Sequence, residues 1–185
     1  MSSYLSFKDV DDSLDGELIP DVVGVLIGYI QLDWRKYDLS KYTGAAMLLF
    51  NDVESFKSHN NTFDKLHVDI DKVNMTMLVK FKDINDTNKF GQLYAKNTID
   101  ASVHLWGSAE YMFRDAKSFN GDISGWNTSK VTTMEGMFSN ATSFDGDISG
   151  WDTSNVTTMQ SMFENATSFD GDISGWNTSK VTSMK

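Results

Sequence analysis

From Met112 the chain reads MFRDAKSFNGDISGWNTSKVTTMEG, from Met137 MFSNATSFDGDISGWDTSNVTTMQS, and from Met162 MFENATSFDGDISGWNTSKVTSMK. The first two stretches agree at 17 of 25 positions, and the last two at 19 of the 24 they share. Chance does not produce that agreement, so the last third of the chain is a tandem array. Its invariant apolar positions are Met112, Phe113, Ala116, Phe119, Ile123, Trp126, Val131 and Met134, with their counterparts one and two periods on. A unit of that length cannot close a core of its own. Its apolar side chains must be buried by the neighbouring units, stacked in columns. The Val-Thr-Thr-Met stretch is rich in β-formers and predicts one strand per unit, with strands of successive units running parallel about 4.8 Å apart. Met112–Ala116 suits a short helical turn on the opposite side, and Asn120-Gly121 and Asp145-Gly146 are turn dipeptides. The expected fold class is therefore an α+β N-terminal segment followed by a short parallel β-solenoid, leucine-rich-repeat-like, with 25-residue coils.

The units follow the pattern M-F-x-x-A-x-x-F-N-x-D-I-S-x-W-D-T-S-x-V-T-x-M. Met137, Phe138, Ala141, Phe144, Asp147, Ile148, Ser149, Trp151, Asp152, Thr153, Ser154, Val156, Thr157 and Met159 carry it in the middle unit. In this the array, residues 112–185, resembles the BspA-like leucine-rich repeats, the mycoplasma-type class of surface-protein repeat. The resemblance implies a leucine-rich-repeat-like solenoid and a role in adhesion or protein binding. It supplies no catalytic residues.

Before the array the chain divides by pattern. Residues 1–16 are polar and acidic and read as a flexible arm, and 17–80 read as an α+β segment. Pro20 suits the first turn of a helix, and Val22, Val23, Leu26, Ile27 and Ile30 then share one face. A second helix is expected over Gly44–Lys57. Alternating apolar residues over 66–82 predict two strands turning near Asp71 and Lys72. One period back, Val131 and Met134 project onto Trp106 and Ala109, so 81–111 read as a degenerate coil capping the array. The run from Leu18 to Ile30 also resembles the opening of an F-box, with Ile19, Pro20, Val23, Ile27 and Ile30 as a possible adaptor helix. An ordinary core helix accounts for the same residues.

Charge and composition remove several classes of function. The formal net charge is −10 and no Lys/Arg cluster stands out, so nucleic acid is not an expected partner. There is no cysteine, which excludes disulfides and thiolate chemistry. The longest apolar run, Val22–Ile30, is far short of the roughly 20 residues of a membrane span. The first residues have neither the basic nor the apolar region of a secretory signal, so a cytoplasmic location or incorporation in a particle is expected over secretion. Asp122, Asp147 and Asp172 fall in register, as do Asn120, Asp145 and Asp170. They read either as calcium ligands or as Asx turns, and the latter need no metal. The stacked threonines could form a flat ice-binding array or simply a strand surface. The eight Asn-x-Ser/Thr sequons are mostly copies made by the repeat. No catalytic motif, metal site or cofactor is assigned.

The leading expectation is a non-catalytic protein-binding or structural repeat protein, a scaffold or assembly component. Alternatives are an F-box-like ubiquitin-ligase adaptor, a cell-surface adhesin and a structural component of a virus particle. The candidate binding residues are Thr132, Thr157 and Thr182 on the threonine row, and Trp176, Val181 and Met184 at the C-terminal end of the array. That open end is expected to meet a protein partner or a second copy, because exposed strand edges and apolar patches tend to pair.

Overall fold

Gly44–Phe50 is a run of seven residues, Gly-Ala-Ala-Met-Leu-Leu-Phe, and every one of them is buried. It forms strand β1, not the helix expected over 44–57. Ala, Met and Leu favour helices locally, but an unbroken apolar run buried on both faces suits the centre of a sheet, and burial outweighs propensity. The computed structural model describes residues 37–72 and 74–184. Their elements are β1, helix α1 (Val53–Ser58), β2 (His67–Asp71), β3 (Thr76–Phe81), helix α2 (Ile84–Lys96), β4 (Ala101–Ser108) and β5 (Asn127–Thr133). The acidic arm and the candidate adaptor residues Ile19, Pro20, Val23, Ile27 and Ile30 lie outside the described residues.

The strands form one mixed sheet in the order β2-β3-β1-β4-β5. The first three pairings are antiparallel and only β4–β5 is parallel. The hairpin expected over 66–82 is β2–β3. β2 is an edge strand, and its Ile70 is 42% exposed. Both helices begin on an aspartate cap. The Asp52 carboxylate accepts from the Ser55 amide, and the Asp83 carboxylate from the amides of Asn85 and Asp86. α2 packs on β3, and α1 touches β1. Beneath them runs a chain of rings. Phe90 stacks on Phe63 at 5.1 Å, meets Phe81 at 5.3 Å and reaches Tyr94 at 6.0 Å. Tyr94 then meets Phe113 and Trp126 of the first repeat unit, at 6.4 and 4.9 Å.

The repeats do not make a parallel β-solenoid. Of the three units only the first contributes a strand, β5, which lies against the extended edge of β4. The second and third units contribute single bridges, Thr133 to Thr158 and Thr158 to Ser183. The reason is local competition for the backbone. The Val156 and Val181 amides turn back onto the Thr153 and Thr178 carbonyls. The Ser129, Ser154 and Ser179 amides bond the side chains of Asn127, Asp152 and Asn177 in all three units, so the turns at Val156 and Val181, not these bonds, set the later units apart.

The units nevertheless stack with a regular offset. The amides of Tyr111, Phe113 and Asp115 donate to the carbonyls of Glu135, Met137 and Ser139. Those of Gly136, Phe138 and Asn140 donate to Gln160, Met162 and Glu164. The helical turn expected over 112–116 is instead a run of tight turns bounded by residues at positive φ. These are Tyr111, Gly136 and Ser161 at one boundary, and Asp115, Asn140 and Asn165 at the other. A positive φ costs most residues about 1–2 kcal/mol and asparagine less. Gly136 is fixed by more than its φ, since a Cβ there would overlap the Tyr111 ring.

Candidate binding surfaces of the repeat stack

The stack has a column of rings at its centre. Phe113, Phe138 and Phe163 lie nearly parallel, 5.5 and 5.6 Å apart. Phe119, Phe144 and Phe169 form a second row at 5.9 and 5.8 Å. Trp151 and Trp176 stack at 6.5 Å. Each indole is also tied to the unit before it. The Trp151 Nε1 donates to the Ile123 carbonyl and the Trp176 Nε1 to the Ile148 carbonyl, both at 3.1 Å.

For Trp126 the place of that preceding unit is taken by α2. Its Nε1 donates to the Tyr94 hydroxyl at 3.3 Å. Asn88 and Gln92, on the same helix, donate to the carbonyls of Tyr111 and Arg114, at 2.8 and 2.7 Å. Gly91 lets the helix approach, because a Cβ there would overlap the Met112 carbonyl. Desolvation raises the Tyr94 pKa, with Asp122 and Asp100 adding to it. α2 is thus a cap on the first unit. The cap expected over 81–111 as a degenerate coil is instead built on a helix, whose signal lies in Asp83 at a cap position and Phe90 and Tyr94 four residues apart.

Along one side run the aspartates. Asp122, Asp147 and Asp172 each accept the amide of the serine two residues on, at 2.9 Å. These bonds hold the three carboxyls below the ordinary aspartate pKa. The largest cause is the hydroxyl of Ser124 for Asp122, and the amides of Ser149 and Ser174 for the other two. Among the described residues no group of three or more histidines, cysteines and carboxylates converges. A second ladder joins Asp115, Asn140 and Asn165. The Asn140 amide donates to Asp115 and the Asn165 amide to the Asn140 oxygen, both at 2.9 Å. The sequon asparagines at 140 and 165 therefore hold the stack together.

Thr132, Thr157 and Thr182 stack as a row and are all exposed. Their hydroxyls do not form a free array, because Thr157 Oγ1 donates to the Thr132 carbonyl and Thr182 Oγ1 to the Thr157 carbonyl. At the end of the stack Val181 and Trp176 are half-buried, Met184 is 62% exposed and Ile173 is 39% exposed. An open cleft of about 800 Å³ lies between α2, the segment after it and the first unit. Tyr94, Asp100, Asp122 and Trp126 are on its walls. The two carboxylates there already accept hydrogen bonds, Asp122 from Ser124 and Asp100 from Asn51.

The family model described as "Mycoplasma protein of unknown function, DUF285" matches residues 86–185, more than half of the chain. The chain belongs to this family. The DUF285 match begins within α2 and takes in β4, β5 and all three units, so the capping helix lies largely inside the matched region. No curated protein and no solved structure matches the chain. In helices of the described residues there is no segment long and apolar enough to cross a membrane.

Proposed function

We propose that this DUF285 chain is a BspA-like repeat protein that acts without catalysis, as a protein-binding or structural scaffold. One observation carries the reading. The invariant apolar and aromatic residues of each unit pack against the neighbouring unit, whereas several positions at which the units differ carry exposed side chains, among them Arg114, Lys117 and Lys130. A stack of that kind can vary its surface without loosening its core, as a binding scaffold requires. The mycoplasma-type family match and the consensus residues from Met137 to Met159 support the same reading.

The test changes the surface and leaves the stack alone. Lys117→Glu and Lys130→Glu together are expected to leave the melting temperature within about 2 °C, since surface substitutions usually change stability by under ~0.5 kcal/mol. The doubly substituted chain should lose the partners that the unaltered chain captures by cross-linking in its source cells. Undiminished capture would count against recognition through the exposed variable positions.

A further inference from the structure

Asn120-Gly121 is the one Asn-Gly pair in the sequence. Asparagine is a thermolabile residue, and a glycine after it puts no side chain between its own nitrogen and the asparagine amide. The groups that would react are unengaged at this place. Asn120 is exposed, and neither its Nδ2 nor the Gly121 amide donates to an acceptor among the described residues. The fold also keeps the glycine. A Cβ on Gly121 would come within 2.8 Å of the Phe119 ring, which itself stacks on Phe113 at 4.3 Å and on Phe144 at 5.9 Å. One hydrogen bond singles the site out. Asn120 Oδ1 accepts the Asp145 amide of the next unit at 2.9 Å. One period on, the same bond is made to a carboxylate, with Asp145 Oδ1 accepting the Asp170 amide at 3.0 Å.

We infer that Asn120 is a site of spontaneous deamidation, and that the stack directs the product to ordinary aspartate. The Gly121 nitrogen, its proton passing to hydroxide, attacks Asn120 Cγ. The Cγ–Nδ2 bond breaks, and ammonia leaves with a proton from water. Water then opens the cyclic imide. The net change is one water taken up and one ammonia lost, and no oxidant or cofactor takes part. Whenever Cγ is attacked, negative charge gathers on Oδ1, and the Asp145 amide already lies on that oxygen. A donor placed in advance stabilises such a tetrahedral intermediate. It therefore speeds ring closure. It also favours opening at Cγ, which gives aspartate, over opening at the main-chain carbonyl, which gives isoaspartate. Isoaspartate would in addition lengthen the main chain by a carbon, beside the close approach of Gly121 to Phe119. The aspartate product repeats a rung that the second unit already has. It also adds a carboxylate to the cleft that Asn120 lines together with Asp100 and Asp122.

The test holds the full chain at mildly alkaline pH and follows Asn120 by peptide mapping with electron-transfer fragmentation, which separates aspartate from isoaspartate. A free peptide of residues 117–124, treated alike, sets the scale. Asn120 should convert in the folded chain at least as fast as in the peptide. The folded chain should yield mainly aspartate, and the peptide mainly isoaspartate. Asn120→Asp makes the product directly, and its Asp145 amide should exchange hydrogen as slowly as in the unaltered chain. Slower conversion in the folded chain than in the peptide overturns the inference, because the Asp145 amide would then give no help. An excess of isoaspartate from the folded chain overturns it as well. So does faster exchange of the Asp145 amide in the Asn120→Asp chain, because the stack would then not accept the carboxylate.

Discussion

Two tryptophans at the same position of adjacent units offer a matched pair. Trp151 is 3% exposed. Its ring stacks on Trp176 at 6.5 Å and on Phe138 at 6.1 Å, and its N–H donates to the Ile123 carbonyl at 3.1 Å. Trp176 has the same chemistry, with rings at Trp151 and Phe163, but it is only half-buried. Deleting a fully buried aromatic costs about 3–5 kcal/mol. Loss of the indole bond is included in that figure, and it leaves no orphan, because the Ile123 carbonyl keeps the Trp126 amide at 3.1 Å. Trp151→Ala should therefore cost about 3–5 kcal/mol, and Trp176→Ala less, because it buries a smaller share of its ring. Urea unfolding followed by circular dichroism separates them, since each substitution removes a fluorescent reporter. A lower midpoint at constant slope is the expected result. Equal costs for the two tryptophans, or a cost below about 1 kcal/mol for Trp151, would mean that the rings do not carry the stack.

Two further expectations follow from the cap and from the aspartates. Gly91→Ala places a methyl against the Met112 carbonyl and should cost about 2 kcal/mol or more, with the loss of hydrogen-exchange protection centred on the first unit. Asp122, Asp147 and Asp172 have lowered folded pKa values, so the stability they supply is present above the unfolded value of about 3.9 and is lost as pH falls through the folded values. Melting curves from pH 6 to pH 2 should therefore fall less steeply for the triple Asp→Asn chain, which keeps the turn acceptors but not the titration. An acid limb of unchanged steepness would place the linkage elsewhere.

The sequence disclosed the array, its period and its buried residues, because a copied unit exposes its own core as the set of invariant apolar positions. Met112, Phe113, Ala116, Phe119, Ile123, Trp126, Val131 and Met134 are all buried. The β2–β3 hairpin was legible from period-two alternation. β1 was not. Gly-Ala-Ala-Met-Leu-Leu-Phe has no alternation, and its helix-forming residues point the wrong way until burial on both faces is known. The strand expected in each unit failed for a different reason. Val-Thr-Thr-Met has the propensity, but in the middle unit the Val156 amide turns back onto the Thr153 carbonyl and only a bridge at Thr158 remains. Only beside β4, where a long partner edge exists, does the same sequence become a strand. The alternation of strand side chains puts one threonine row at the surface without saying which, and Thr132, Thr157 and Thr182 are the exposed one. That its hydroxyls are bonded to carbonyls of the preceding unit is a matter of rotamer and register, which no sequence pattern encodes.

Near-identical units thus occupy three different environments, and position in the stack, more than sequence, sets what each contributes. The first unit lies between α2 and the second, with Trp126 held by Tyr94 and its carbonyls by Asn88 and Gln92. The second lies between two copies of itself, with Phe138 between Phe113 and Phe163. The third has a described neighbour on one side only. In a quasi-one-dimensional array, stability is the sum of what each unit brings and what each interface adds, so the α2 interface contributes to the first unit what a preceding repeat would. The asparagine ladder has the same direction. Asp115, which as a carboxylate only accepts, begins it, and Asn140 and Asn165 each donate toward the cap. A donor at the first position would point at no rung, whereas an acceptor there completes the ladder. The side chains at 115, 140 and 165 therefore record which end of the stack meets α2.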